Sequence, residues 1–428
     1  MPKLKELAAG LRGGEYDGAL ERLYPGAGSG AARRRAEHVA EQFQTAFSPA
    51  PEAEAGLFSG PGRTEIGGNH TDHQRGHVLC GSVDLDMLAC AAPNGRGEIR
   101  VLSEGYAPFS VALDSLAPDP SEYGTTAALV RGVAAGVAEA GYTPAGFDAF
   151  VSSNVLSGSG LSSSAAFEIL IGTILNRFCC GVALDSVELA KIGQRAENLY
   201  FGKPCGLMDQ AGCAVGGAIA IDFEDPTAPR VRKVRFDFQS CGHALCIVDT
   251  RSDHADLTGD YAAIPAEMGA VAAYFGKNVL REVPEAQFRA AIPALRSRCG
   301  DRAVLRALHF YDDDRRAQAE AEALEQGDFP RFLSLVNASG LSSSLHLQNI
   351  WSPARPERQA VALSLALGRE LLGGAGAIRV HGGGFAGTIQ AFVPEDILPR
   401  FKTGMEALLG EGSCHVLRIR PEGGCAVI

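Results

Sequence analysis

Three glycine-rich segments carry most of the side chains whose types and spacing could do chemistry. In the middle one, VLSGSGLSSSAAFEIL, Gly158 and Gly160 lead into Ser162–Ser164 and a helix-forming run. Glycines let backbone amides point inward, serines can cap a helix start, and that start carries partial positive charge. These features predict a phosphate site, with a plain capped helix after a turn as the alternative. The segment lacks the GK[ST] ending of a Walker A loop.

The first segment, GPGRTEIGGNHTDHQRG, is dense in polar side chains. They are Arg63, Glu65, Asn69, His70, Asp72, His73 and Arg75. Inside a glycine-rich loop they fit hydrogen bonding to a polyhydroxylated ligand, and an exposed loop with solvated charges is the alternative. A zinc site on His70, His73 and His77 is disfavoured, because no helix is evident and no cysteine or supporting carboxylate spacing accompanies them.

The last segment, RVHGGGFAGTIQAFV, places Gly382, Gly384 and Gly387 in GxGxxG spacing. A dinucleotide site is disfavoured, because that fingerprint should open a helix, whereas TIQAFV alternates like a strand. The segment predicts a glycine hairpin. Its backbone would approach either a ligand or another part of the chain closely.

The elements that must position these segments mix helices and strands without regular alternation. Helices are predicted around Leu4–Leu11 and over 31–47, 125–140, 161–177, 186–200, 262–275 and 303–326. Strands are predicted over 147–155, 215–223, 243–249, 377–380 and 388–393. This mixture predicts an α+β architecture with two lobes. We expect a helical N-terminal extension (1–50), a lobe with the phosphate loop (51–223) and a lobe with the third glycine segment (224–428).

Composition narrows the class of protein. The chain has 428 residues, 46% of them hydrophobic, with a net charge of −11. That length favours two domains, and the negative charge argues against a nucleic-acid partner. The eleven cysteines show no metal-binding spacing and are expected to be reduced thiols. No signal peptide or long apolar stretch is evident, so we expect a soluble, cytoplasmic protein without a membrane partner, as a monomer or a dimer.

In combination the segments resemble the sugar and metabolite kinases that include galactokinase, homoserine kinase, mevalonate kinase and phosphomevalonate kinase, galactokinase most of all. The matching residues of the three segments are Pro61, Gly62, Arg63, Gly68, His70, Thr71, Asp72, Gly76, Gly158, Gly160, Leu161, Ser162–Ser164, Ala165, Gly382–Gly384, Phe385 and Gly387. A fourth segment, KPCGLMDQ (203–210), resembles the galactokinase segment that carries the catalytic aspartate. The resemblance runs in order from Ser59 to Val393, and four ordered motifs are far more specific than one.

The resemblance implies a fold and a set of roles. The N-terminal lobe would be like the second domain of ribosomal protein S5, the C-terminal lobe would be ferredoxin-like, and ATP and sugar would meet between them. Asp209 would be the general base, with Arg63 beside it. Glu197 and a serine, taken as Ser163, would hold Mg²⁺. The ATP-binding loop would comprise Gly158, Ser159, Gly160, Leu161, Ser162, Ser163 and Ser164. The sugar would contact Asn69, His70, Asp72, Gly206 and Tyr261.

The implied activity is ATP-dependent phosphorylation of a monosaccharide hydroxyl, with galactose as first choice. Two departures from the family pattern are Glu65 in place of an asparagine and Asn69 in place of a glutamate associated with the C6 hydroxyl. A neutral Asn69 would no longer repel a carboxylate, so a hexuronic acid such as galacturonate is an alternative substrate. A catalytically silent sugar sensor and another metabolite kinase are further alternatives. The intact Asp209, Arg63 and serine run favour catalysis.

Overall fold

The computed structural model describes residues 1–26, 28–155, 160–252 and 257–428, so Gly158 and Ser159 of the predicted phosphate loop lie outside the described residues. The α-helices are α1 (Leu4–Gly13), α2 (Asp17–Leu23), α3 (Ser29–Phe47), α4 (Thr126–Glu139), α5 (Ser163–Cys179), α6 (Ser186–Arg195), α7 (Met208–Val215), α8 (Thr258–Tyr274), α9 (Glu285–Cys299), α10 (Asp301–Glu325), α11 (Phe329–Ser342), α12 (Ala360–Leu372) and α13 (Leu398–Leu409). The strands are β1 (Gly56–Gly67), β2 (His77–Pro93), β3 (Glu98–Ser103), β4 (Phe109–Ala112), β5 (Phe147–Ser153), β6 (Ala218–Asp222), β7 (Arg230–Val234), β8 (His243–Asp249), β9 (Ala377–His381), β10 (Thr388–Pro394), β11 (Cys414–Leu417) and β12 (Cys425–Ala426).

The larger sheet has the strand order β12-β1-β2-β5-β3-β4, and β6 pairs with β2 and β7. Its long central pair, β1 and β2, is antiparallel, with Ser59 opposite Leu88. The register of this pair shifts between Pro61 and Arg63 and again between Glu65 and Gly67. Such bulges re-aim the side chains that follow them. The first polar segment therefore begins as a strand and not as a loop.

Helices cover both faces of this sheet. Leu88 packs with Leu7 and Phe43 of the N-terminal helices α1 and α3. The next residue, Ala89, packs instead with the core that includes Val130 of α4 and Ile169 of α5. Because side chains alternate between the faces of a strand, the two helical groups lie on opposite sides of the sheet. The N-terminal helices thus belong to the core.

The smaller sheet has the order β11-β8-β10-β9 and is antiparallel throughout. Leu365 of α12 and Phe401 of α13 pack against it with Val380 and Ile389. Helix α11 covers the region near Phe392. The fold is therefore α+β, built on two sheets that each carry their own helices. Strand β8 spans His243–Asp249, the range predicted from the sequence.

Two strands beyond residue 223 belong to the larger sheet. β7 pairs with β6, and β12 pairs with β1 through Ser59 and Cys425. The division of the chain into 51–223 and 224–428 stays a prediction, and the larger sheet takes residues from both of those ranges.

In the described part of the chain, no helix has both the length and the apolar character needed to cross a membrane. All eleven cysteines are free thiols.

Candidate active site

Arg63 and Asp209 form an ion pair that joins three of the four sequence segments. Arg63 lies on β1, and Asp209 lies in the first turn of α7. The Arg63 Nε donates to Asp209 Oδ1 over 2.9 Å, and a second guanidinium nitrogen contacts the same oxygen. Arg63 also donates from its guanidinium to the Gly160 carbonyl and from its backbone to the Leu161 carbonyl. Three segments that are distant from one another in the sequence therefore meet at the Asp209 carboxylate.

Ser162 places its hydroxyl on the same carboxylate. Its Oγ donates to Asp209 Oδ2 over 2.6 Å, and its backbone is left-handed, with φ of 58°. The expectation that the serines cap the following helix is not met at Ser162, the N-cap residue, because Asp209 accepts a hydrogen bond from its hydroxyl. No described side chain caps α5, so the first amides of this 17-residue helix stay available to an anion.

The pKa of Asp209 reflects two opposing effects. Burial alone would raise it, but the charge of Arg63 and the hydrogen bonds from Ser162 and Arg63 outweigh burial, so the pKa lies below the usual aspartate value. Asp209 is therefore an ionised carboxylate near neutral pH. A carboxylate in this state can accept a proton from a bound hydroxyl.

Replacing Arg63 with methionine should raise the pKa of Asp209. Losing an opposite charge at this distance is worth about 1–3 pKa units. Asp209 is predicted to act as a base in its ionised form, so activity should fall as pH drops through its pKa, and the acid limb of kcat/KM should move to higher pH. The pH profile of the variant measures this, and Arg63→Lys should shift the limb less. An unmoved acid limb would show that another group controls it.

Glu197 and Ser164 form the candidate metal contact. Glu197 is completely buried, and its Oε1 accepts a hydrogen bond from Ser164 Oγ over 2.9 Å. It lies on the π-helix Ala196–Phe201, where the sequence predicted a continuing α-helix. A carboxylate and a hydroxyl oxygen are the hard ligands that Mg²⁺ prefers, so these residues fit the ion. The predicted serine was Ser163, and in the structure it is Ser164 that contacts Glu197.

Two of the predicted sugar residues, Asp72 and Gly206, lie side by side. A Cβ built on Gly206 would lie 3.0 Å from Asp72 Oδ2. Gly206 therefore lets the carboxylate approach the segment that leads into Asp209. The Asp72 side chain is 16% exposed, which leaves it open to a small ligand.

Two more of them, His70 and Tyr261, contact the third glycine segment. His70 Nε2 lies 3.0 Å from the Gly383 carbonyl, and the Tyr261 hydroxyl donates to the Gly384 carbonyl over 2.6 Å. Burial lowers the pKa of His70 to about 4, so its ring is neutral and Nε2–H donates. This glycine segment is thus packed against residues that were predicted to hold the sugar.

Asn69 is placed differently from the prediction. The side chain is fully buried, and its amide nitrogen donates to the Gly382 carbonyl over 2.7 Å and to Glu65 Oε1 over 3.0 Å. Its amide oxygen accepts from Asn349 over 2.9 Å and from Ser343 over 3.3 Å. Every polar atom of this amide therefore bonds to protein. Asn69 anchors the third glycine segment.

Residues next to the glycine motifs complete the scaffold. Arg379 is buried and donates to Glu65 Oε1 over 2.7 Å. His381 bonds to Thr64 over 3.1 Å, and a Cβ on Gly160 would lie 3.1 Å from its Nδ1. Burial lowers the pKa of His381 to about 3, so the ring is neutral. The buried Glu65–Arg379 pair ties the first segment to the third.

No role was predicted from the sequence for Asn349, Lys203, Arg379 or His381. Asn349 contacts Asn69, which lies far away in the chain, and Lys203 contacts Glu197 across the end of the π-helix; no local pattern indicates either contact. His381 directly precedes the matching glycines of the third segment and is not itself among the matching residues. A role for Arg379 could have been predicted only if the pairing of β9 with β10 had been known.

Two known protein families match parts of this chain. Residues 41–93 match the galactokinase galactose-binding signature, and residues 128–217 match the N-terminal domain of GHMP kinases. A galactokinase from Streptomyces coelicolor is 33% identical over 362 residues, which span 83% of this chain and 88% of that protein. The chain belongs to the galactokinase family. It is accordingly a sugar kinase of the galactokinase type.

Solved structures share the galactokinase-family fold. Lactococcus lactis galactokinase, crystallised with galactose, superposes with a TM-score of 0.75 at 24% identity, covering 90% of this chain and 98% of that one. A mevalonate kinase from Methanococcus jannaschii gives a TM-score of 0.62 at 14% identity, covering 87% of this chain and 99% of that one. The two-lobe α+β architecture expected from the sequence is confirmed.

Proposed function

We propose that this chain transfers the γ-phosphoryl group of ATP to the anomeric hydroxyl of galactose, giving galactose 1-phosphate and ADP. The observation that carries the proposal is the position of the Asp209 carboxylate. It is bonded to Arg63 and to Ser162, so a base kept ionised lies at the start of the candidate phosphate helix. Membership of the galactokinase family and the match to a galactose-binding signature support galactose as the substrate.

In this mechanism the chain's own residues position and deprotonate the sugar. Asp72, His70 and Tyr261 orient the ring. Asp209 accepts the proton of the anomeric hydroxyl as its oxygen bonds to the γ-phosphorus and the bond to the ADP oxygen breaks. Arg63 holds Asp209 ionised and offsets negative charge on the moving group. General-base assistance of this kind is worth about 10²–10⁴ in rate.

Glu197 and Ser164 would hold a Mg²⁺ ion that accompanies ATP. A bound ion of this kind neutralises charge on phosphate oxygens and so lowers their repulsion of the attacking hydroxyl. The described residues contain no cluster of three or more histidine, cysteine, aspartate or glutamate side chains suited to a metal. One carboxylate and one hydroxyl leave the remaining positions to ATP and water, as is usual for Mg²⁺.

The geometry favours galactose over the alternatives. The sugar-acid alternative required Asn69 to face the ligand, whereas its amide is buried and bonded to protein. A silent sensor would not need a base, and here Asp209 contacts both Arg63 and Ser162. Catalysis on a neutral sugar fits these contacts best.

A substrate panel tests the proposal. Purified protein is assayed for ADP release with ATP and galactose, galacturonate, glucuronate, N-acetylgalactosamine or arabinose, with a sugar-free reaction as control. We expect the highest kcat/KM for galactose and a phosphorylated product at the anomeric oxygen. Faster turnover of galacturonate, or ADP release that no sugar stimulates, would contradict the proposal.

A further inference from the structure

The Glu197 carboxylate is saturated with hydrogen-bond donors. Its Oε1 accepts from Ser164 over 2.9 Å and from Lys203 Nζ over 3.0 Å. Its Oε2 accepts from Gln210 over 2.8 Å and from the Cys205 thiol over 3.3 Å. A carboxylate in this state has little room for a further partner. For Glu197 to receive a cation, one donor must leave.

Lys203 is the donor that can leave most easily. Gln210 is fully buried on α7, and Ser164 is fixed on α5. The Lys203 side chain is 60% exposed, and it follows Gly202, a left-handed residue with φ of 79° that ends the π-helix. A flexible four-carbon stem lets its ammonium group reach several positions from one backbone site.

The charges of the site show why it needs a cationic side chain in addition to Arg63. Asp209 and Glu197 contribute two negative charges, and Arg63 contributes one positive charge. With Lys203 the four groups sum to zero, whereas without it the nucleotide and its cation, which together remain negative, would enter a site that is itself net negative. Lys203 also lies within electrostatic reach of Asp209. Like charges in a partly enclosed site repel strongly.

We propose that Lys203 is a phosphate-binding residue of the active site. Before nucleotide binds, Lys203 neutralises the buried Glu197. When ATP enters with its cation, Lys203 releases Glu197 to that cation and turns its ammonium to the β- and γ-phosphate oxygens. This inference rests on the proposed function for the identity of the nucleotide. It gives a role to the first residue of the KPCGLMDQ segment, for which the sequence predicted none.

Calorimetric titration without sugar tests this role directly. Wild-type protein, Lys203→Met and Lys203→Arg are titrated with the Mg²⁺ complex of a non-hydrolysable ATP analogue. Losing a charge-assisted contact of about 1.5–3 kcal/mol corresponds to about a 10- to 100-fold weaker Kd for Lys203→Met. Lys203→Arg keeps the charge and should restore most of the affinity. The Kd for galactose should be unchanged in both variants.

Matched controls separate the possible outcomes. Lys191→Met removes an exposed lysine from the nearby α6 and should leave nucleotide affinity unchanged. Thermal unfolding checks that each variant folds, and Lys203→Gln, which keeps a donor for Glu197, gives the same measurement if Lys203→Met does not. Unaltered nucleotide affinity in the folded neutral variants would overturn the inference while leaving the proposed function intact. If galactose is not phosphorylated but Lys203→Met binds nucleotide weakly, only the proposed function fails.

Discussion

Replacing Asp209 with asparagine should lower kcat with galactose by about 10²–10⁴-fold, the usual worth of a general base. Asparagine has nearly the same shape: its Oδ1 can still accept from Arg63, and its amide nitrogen can donate to the Ser162 hydroxyl, so the geometry around Gly160 should survive. What it loses is the capacity to take a proton at neutral pH. The measurement is steady-state ADP release, with galactose binding followed separately by calorimetry.

The comparison variant for this experiment is Ser162→Ala. It removes one hydrogen bond to Asp209 but leaves the carboxylate, so its kcat should fall far less than that of Asp209→Asn. Galactose binding should stay measurable in both. If Asp209→Asn retained turnover within about tenfold of wild type, well under the range for a general base, Asp209 would not be the base.

Replacing Asp86 with asparagine should be the most destabilising single change outside the active site. Asp86 is fully buried and accepts from Arg35, from Arg420 over 3.2 Å, from Tyr24 over 2.7 Å and from Ser59. Breaking a buried ion pair by removing one partner costs about 3–5 kcal/mol, because the partner's charge is left uncompensated. Urea unfolding should show the midpoint falling accordingly.

The matched control is Asp301→Asn, which breaks an ion pair with Arg296 on the surface. Both of those side chains are mostly exposed, so solvent already screens the pair and the urea midpoint should hardly move. Equal midpoints for Asp86→Asn and wild type would show that the charges around Asp86 are not needed for stability.

Elements with a strong local pattern could be predicted from the sequence alone. The run His243–Asp249 is apolar and bounded by turn residues, and it forms β8 over that range. The long charged helix predicted over 303–326 is α10, Asp301–Glu325. The resemblance of the four segments to the galactokinase family also implied that Arg63 lies beside Asp209 before any distance was known.

Features that depend on distant partners could not be predicted in this way. Ser162 looks like a helix cap in sequence, and only the approach of Asp209 draws its hydroxyl away. The first polar segment looks like an exposed loop, but the bulged pairing of β1 with β2 buries Arg63 and Glu65. The sequence assigned Asn69 to the sugar because the residues that bond to its amide, such as Asn349 and Gly382, lie far away in the chain.

The pairing of β12 with β1 has a consequence for how the chain folds. Ser59, near the start of the larger sheet, lies opposite Cys425, so an edge of that sheet cannot close until synthesis has passed residue 425. Contacts between such distant parts of a chain form late and slow the overall folding rate. Until then the edge of β1 is unpaired and open to association with other nascent chains, so production in cells should depend strongly on temperature and on chaperones.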